Sequence, residues 1–242
     1  MDLSSIQYVY IALAAFLIGF SKTSVEVGIL GVLLVALVIP GKASPGIVLP
    51  MLIAADIAAV LFYRRSCKWG LLVKLIPAAF VGVALGAGFL WAVPNADFEK
   101  IIGGIILAML VLDLAMTKPA RKLFRGPWVA RIFGTLGGAA SMIANAAGPV
   151  FGVYLLQMGL NKREFVGTRG WFFLIMNVSK LPFAVGLGLI TPQTLLFDLT
   201  FLPAILVGAV TGYVLLSHIN QRLFSTLIRV AVLGAAARLI LA

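Results

Sequence analysis

Eight apolar runs follow one another along the chain, separated by short polar gaps: residues 7–39, 44–63, 70–92, 99–116, 128–160, 165–188, 193–216 and 222–241. A helix needs about 20 mostly apolar residues to cross the hydrocarbon layer of a membrane, so six of the runs have ordinary spanning length. The first and fifth are too long for one straight crossing. Each is interrupted near its middle by small and polar residues, Gly19-Phe20-Ser21-Lys22-Thr23-Ser24 in one and Ser141-Met142-Ile143-Ala144-Asn145 in the other. The pattern predicts two half-length helices in each, joined by a non-helical break. Backbone of that kind at membrane depth persists only where protein or a polar cavity satisfies its N–H and C=O groups.

The two halves of the chain match in order. Shifting by 120 carries Ser21 onto Ser141, Gly28 onto Gly148 and Lys42 onto Lys162. Shifting by 126 carries Ile76-Pro77-Ala78 onto Leu202-Pro203-Ala204, Val81-Gly82 onto Val207-Gly208, Gly86 onto Gly212 and Phe98 onto Phe224. This series predicts an internal duplication: a first transmembrane repeat over 1–116, a basic cytoplasmic linker over 117–127 and a second transmembrane repeat over 128–242. The Gly82/Gly86 and Gly208/Gly212 pairs, four apart, give smooth faces for close helix packing.

Composition settles the class. The chain has 242 residues, 62% hydrophobic and only 11% charged, with a mean hydropathy of +1.12. Soluble domains carry about 25% charged residues and need polar cover, so a water-soluble fold is excluded. The prediction is an all-α polytopic membrane protein. The net charge of +11 would suggest nucleic acid on a soluble chain. Here the basic residues sit mostly in the polar gaps, where they act as orientation signals and phospholipid contacts. One cysteine (Cys67) and one histidine (His218) supply neither a zinc site nor a Cys-His nucleophile pair. No cofactor is expected. No phosphate loop, HExxH or GxSxG motif is present, so the chain is not read as an enzyme. The first apolar run lacks a basic start and is expected to remain in the mature protein.

Charge also discriminates between two topologies. If all eight runs cross, the repeats are parallel and the basic clusters are divided between the two sides. If runs 1 and 5 are re-entrant hairpins, one side collects Arg64, Arg65, Lys68, Lys118, Arg121, Lys122, Arg125, Lys162, Arg163, His218 and Arg222. The other side keeps Asp2, Lys42, Asp97, Glu99, Lys100 and Arg238. Lys and Arg concentrate in cytoplasmic loops, so the hairpin layout is preferred. It makes the repeats inverted and puts both termini outside a bacterial inner (cell) membrane.

Polar residues inside apolar runs are costly and mark candidate sites. Lys22 stands in the first break beside Thr23 and Ser24; a half-helix beginning there would aim its amide groups at an anion. Pairing of Lys22 with Glu26 one turn on is the structural alternative. Ser141 and Asn145 occupy the matching break, and two half-helix amino ends meeting mid-bilayer is an arrangement used by inverted-repeat transporters. Asn177 and Lys180 are three apart and share a face of run 6. Asp56 holds the corresponding region of run 2, as either an ion-pair partner of Lys180 or a titrating group. Thr168 and Arg169, one turn into run 6, are candidates for a gate, with headgroup contact equally open for Arg169.

With these residues in view, the chain resembles the sulfite exporter TauE/SafE family, also called the TSUP transporters. The resemblance rests on Gly19 to Ser24, Leu49 to Asp56, Ile143 to Pro149, Phe165 to Thr168 followed by Trp171-Phe172-Phe173, and Asn177 to Phe183. It implies two four-segment repeats and transport of small sulfur-containing or organic anions such as sulfite and sulfonates. It further implies Lys22, Thr23, Asp56, Asn145, Asn177 and Lys180 as cavity positions. Two departures stand out. Ser24-Val25-Glu26-Val27-Gly28 replaces a turn usually rich in Gly and Pro, and Arg169 stands where a small neutral residue is usual. The leading expectation is a secondary transporter for a small anion working by alternating access, with proton coupling through Asp56 or Glu26, or sodium coupling. A passive small-anion channel and a carrier of non-sulfur organic anions are the alternatives. The partners are the anion and the bilayer, not nucleic acid, and the protein is read as monomer or homodimer. A reporter enzyme fused after Ala242 is expected to be active only outside the cell, and activity in the cytoplasm refutes the hairpin layout.

Overall fold

In the computed structural model, the described residues are 3–39, 43–92, 104, 107, 110–111, 126–144, 147–186 and 188–241. All regular structure among them is helical. The helices are α1 (Ser5–Thr23), α2 (Gly28–Val38), α3 (Ala43–Tyr63) with a 3₁₀ turn at Arg64–Ser66, α4 (Trp69–Ala92), α5 (Pro127–Ala144), α6 (Ala147–Gln157), α7 (Lys162–Gly186), α8 (Pro192–Thr200), α9 (Leu202–His218) and α10 (Gln221–Leu241). Of the fourth run, Gly104, Leu107, Leu110 and Val111 are helical and the rest lies outside the described residues, as does most of the linker at 117–127.

Polar residues punctuate these helices as the sequence demands. Reciprocal capping pairs start three of them: Ser4 with Gln7 at α1, Asn161 with Glu164 at α7 and Thr191 with Thr194 at α8. Each satisfies amide groups that the first helical turn leaves open. The Lys68 ammonium, 2.6 Å from Glu164, holds that carboxyl below the usual carboxylate range.

Among the described residues, three helices are long and apolar enough to cross a membrane, Ser5–Thr23, Gly46–Ser66 and Trp69–Gly86, and α8 with α9 makes a fourth if their 49° bend lies within one span. That bend departs from the straight seventh run expected. Pro203 falls in the first turn of α9 and has no N–H to continue the helix behind it, so the chain restarts at Leu202. Large apolar side chains stand exposed along the helices, among them Leu37, Val73, Phe183 and Leu196. Such surface fits hydrocarbon rather than water.

The first run breaks as predicted, but later in the helix than its midpoint. Its first part, α1, extends through Lys22 and Thr23 to full spanning length, and α2 is only 11 residues. Helix α2 then doubles back. Gly31 lies against the carbonyl of Ala14 and the side chain of Ile18, contacts that a straight continuation of α1 would place about 20–25 Å away. The fifth run does the same: Gly137 of α5 meets Phe151 of α6, and the Phe133 and Tyr154 rings are 5.3 Å apart. Both are helical hairpins.

The chain forms two compact units, each drawing on both halves of the sequence. Unit 1 is residues 1–67 and 169–220; unit 2 is residues 68–168 and 221–242. In unit 1 a core of Ile11, Ala15, Ile18, Val35, Met51 and Ile205 joins α1, α2, α3 and α9. Helices α1 and α9 approach backbone to backbone: a Cβ on Gly19 would collide with the Ile205 carbonyl, and one on Gly208 with the Phe16 carbonyl. Gly212 lies in the same way against Phe20. Unit 2 carries the same set between α4 and α5. Gly138 meets the Ala79 carbonyl, Gly82 the Thr135 carbonyl, and Gly86 meets Ala139. Those numbers are shifted by 126 between α9 and α4 and by 119 between α1 and α5.

Such seams tolerate no added carbon. Gly208→Ala is expected to lower the stability of the detergent-solubilised protein by about 2 kcal/mol through forced separation of α1 and α9. Gly70→Ala, where nothing lies within 4 Å, is expected to be neutral or mildly stabilising. Melting temperatures of the two variants measure the difference, and equal values refute the seam.

Candidate functional site

The turn between α1 and α2, residues Ser24–Val27, leaves both helix ends open, and polar groups of unit 1 close them. The Ser21 hydroxyl accepts hydrogen bonds from the Val27 and Gly28 amides at 3.0 and 2.8 Å. It thereby caps α2, which begins at Gly28 rather than near Ser24. Those two amides are therefore engaged by protein, where the sequence had aimed the helix start at a ligand.

The carboxyl end of α1 is closed mainly by Arg169 of α7. Its guanidinium donates to the carbonyls of Ser21, Lys22 and Ser24 and, at 2.7 Å, to the Glu26 carboxylate. Arg169 is only 1% exposed, so it is a buried clamp and not a headgroup contact. A planar fork of five donors suits this work, because one residue satisfies several acceptors at once. The positive charge also complements the negative end of the helix dipole. Tyr63 of α3 donates from its hydroxyl to the Thr23 carbonyl at 2.9 Å.

Thr23 and Ser24 are fully buried, and their hydroxyl protons are committed. Thr23 donates to the Ala209 carbonyl at 2.8 Å, and Ser24 to the Phe20 carbonyl at 2.8 Å. In this state neither proton is available for the oxygens of an anion.

Lys22 projects from the last turn of α1 into a polar group of its own. Its Nζ lies 2.8 Å from Asp56 Oδ1 and 4.2 Å from the centre of the Phe173 ring, on the ring face. Asn177 donates to the other oxygen, Asp56 Oδ2, at 2.7 Å. Asp56 is completely buried. The sequence offered Glu26 as a partner for Lys22 and Lys180 as a partner for Asp56. In the structure Lys22 is bonded to Asp56, and Glu26 to Arg169. Lys180, half-buried on α7, interacts electrostatically with both Lys22 and Asp56.

Of the other candidates, Thr168 and Ser141 belong to unit 2. The Thr168 hydroxyl accepts from the Lys68 amide at 2.9 Å and anchors the start of α4. Ser141 is buried near the end of α5, and Asn145 lies outside the described residues. Tyr63, Ser21 and Phe173 were not singled out as site residues. Ser21 precedes an apolar run, the ordinary signature of a helix cap; Tyr63 and Phe173 carried no local signal, since their roles depend on distant elements.

Among the described residues around the break, three cations (Lys22, Arg169, Lys180) face two carboxylates (Asp56, Glu26), an excess of one positive charge. A buried, hydrogen-bonded charge cluster at a helix break, in a chain of exposed apolar helices, marks a polytopic membrane protein with a polar site inside it. The chain matches the model of the family described as Sulfite exporter TauE/SafE over residues 11–239, and it belongs to that family of membrane transporters for sulfite- and sulfonate-type anions. Searches of curated proteins and of solved structures returned no match.

Arg169→Gln is expected to cost about 3–5 kcal/mol, the usual penalty for leaving a buried charge without its partner. Arg169→Lys is expected to recover only part of it, because an ammonium does not span the same acceptors. Thermal unfolding of both variants provides the check, and a wild-type Lys variant refutes the fork geometry.

Proposed function

We propose that the protein is a secondary transporter that moves a small anion, sulfite or an organosulfonate, across the cell membrane by alternating access. Lys22, with Asn177 and Lys180, binds the negative group. The observation that carries this reading is the Lys22 ammonium, held at the end of a broken helix within a cluster that bears one more positive than negative charge. An ammonium has three donors and Asp56 takes one, so donors remain for an anion's oxygens. The remaining cluster charge favours a guest with a single negative charge.

The repeated glycine seams support an inverted duplication, 1–116 and 128–242 about the linker 117–127. The distribution of Lys and Arg supports an inner-membrane location with both termini outside. The hairpins α1–α2 and α5–α6 are the re-entrant elements of that layout. No nucleotide-binding motif occurs in the sequence, and the energy source in this reading is an ion or substrate gradient.

Sulfite and methanesulfonate are expected to raise the melting temperature of the purified protein. Lys22→Gln is expected to weaken their binding at least tenfold, about 1.4 kcal/mol, while Lys74→Gln, in unit 2, leaves it unchanged. In liposomes preloaded with unlabelled sulfite, labelled sulfite is expected to accumulate by counterflow. Undiminished binding by Lys22→Gln refutes the site, and flux without counterflow refutes the carrier.

A further inference from the structure

Lys22 has donors to spare for an anion, but the carboxylate already beside it opposes the approach of a second negative group. Lys22 Nζ lies 2.8 Å from Asp56 Oδ1, and Asp56 is fully buried. Bringing a second anion to Lys22 sets two negative groups on one ammonium, and in a buried site their repulsion is weakly screened. Protonating the carboxylate removes that repulsion, because the proton forms an O–H bond on Asp56 and leaves the ammonium to the guest. Resting on the transport reading above, we infer that Asp56 is the coupling group: it takes up one proton as Lys22 transfers from Asp56 to the anion, making the carrier a proton–anion symporter.

Geometry separates the two acids that the sequence left as equals. Glu26 is bonded to Arg169, which is itself fixed by three main-chain carbonyls at the end of α1. Protonating Glu26 would not release Lys22. Asp56 touches the donors that an anion needs, Lys22 and Asn177. The charged groups around Asp56 are Lys22 of α1 and Arg169 and Lys180 of α7. Helix α2 has no ionisable residue, α8 carries Asp198, and α9 carries Tyr213 and His218. Asp56 is therefore the carboxylate that competes directly for the anion's lysine.

Charge balance gives a second consequence. Before binding, Lys22, Lys180 and Arg169 face Asp56 and Glu26, with one excess positive charge. With the carboxyl protonated and a monovalent anion bound, the excess is the same. A monovalent sulfonate and a proton thus cross together without moving net charge.

The test is calorimetric titration of methanesulfonate, an anion that stays singly charged across the accessible pH range, into the purified full-length protein. Two buffers of different ionisation enthalpy at one pH report the protons taken up. The expected result for the native protein is about one proton per anion bound, with affinity falling about tenfold per pH unit where the free carboxyl is ionised. Asp56→Asn is expected to bind without proton uptake and with an affinity that does not vary with pH. Glu26→Gln is expected to keep the uptake. Anion binding by the native protein with no proton uptake overturns the inference and leaves the transport reading standing, as does uptake that survives in Asp56→Asn. If Asp56→Asn fails to fold, the two-buffer comparison on the native protein decides alone. Failure of the native protein to bind methanesulfonate or sulfite removes the transport reading and this inference with it.

Discussion

A helix broken within an apolar medium exposes up to four carbonyls at one end and four amides at the next start, and each costs free energy unless it is paired. The hairpin α1–α2 depends on meeting that requirement. Arg169 binds the carbonyls of Ser21, Lys22 and Ser24, Tyr63 binds that of Thr23, and the Ser21 hydroxyl receives the first amides of α2. These closures come from α1, α3 and α7, so the break is specified by unit 1 as a whole. With the backbone satisfied, Lys22 is free to be chemical rather than structural. Its side chain leaves the helix end and meets Asp56 and the Phe173 face instead of filling a backbone vacancy.

The two acid–base pairs therefore divide the labour. Arg169 with Glu26 is rigid, multiply bonded and tied to main-chain atoms, and it neutralises charge at the turn. Lys22 with Asp56 is joined through side chains alone, with Asn177 and Lys180 beside it. Buried ion pairs contribute little net stability because desolvation offsets attraction. In the proposed carrier, the second pair is the one that an incoming anion exchanges with.

Much of this was legible in the sequence, for definite reasons. Eight apolar runs and the interruptions at Ser21–Ser24 and Ser141–Asn145 are local signals, because apolar length and polar residues within it have direct meaning in a membrane. The glycine spacing at 82/86 and 208/212 announced close packing, and the structure gives those glycines backbone partners. What was illegible was pairing. Nothing near Arg169 in the chain says that it binds residues 21–26, nearly 150 positions earlier, so a residue at the edge of an apolar run read as a gate or a headgroup contact. Lys22 has Glu26 one turn away in sequence, but the helix ends between them and the turn carries Glu26 to Arg169. The bend at Phe201 was also hidden, since Pro77 occupies the equivalent position in α4 without interrupting it. The same residue is tolerated or disruptive according to what the neighbouring helices supply.

The seam between α1 and α9 has a mechanical meaning. Where carbonyl groups rest on bare Cα atoms, as at Gly19 and Gly208, two rods are keyed like the teeth of a zip. A Cβ at either glycine would run into the opposing main chain. Such a joint couples the two helices closely, and the last turn of α1 is the one that carries Lys22.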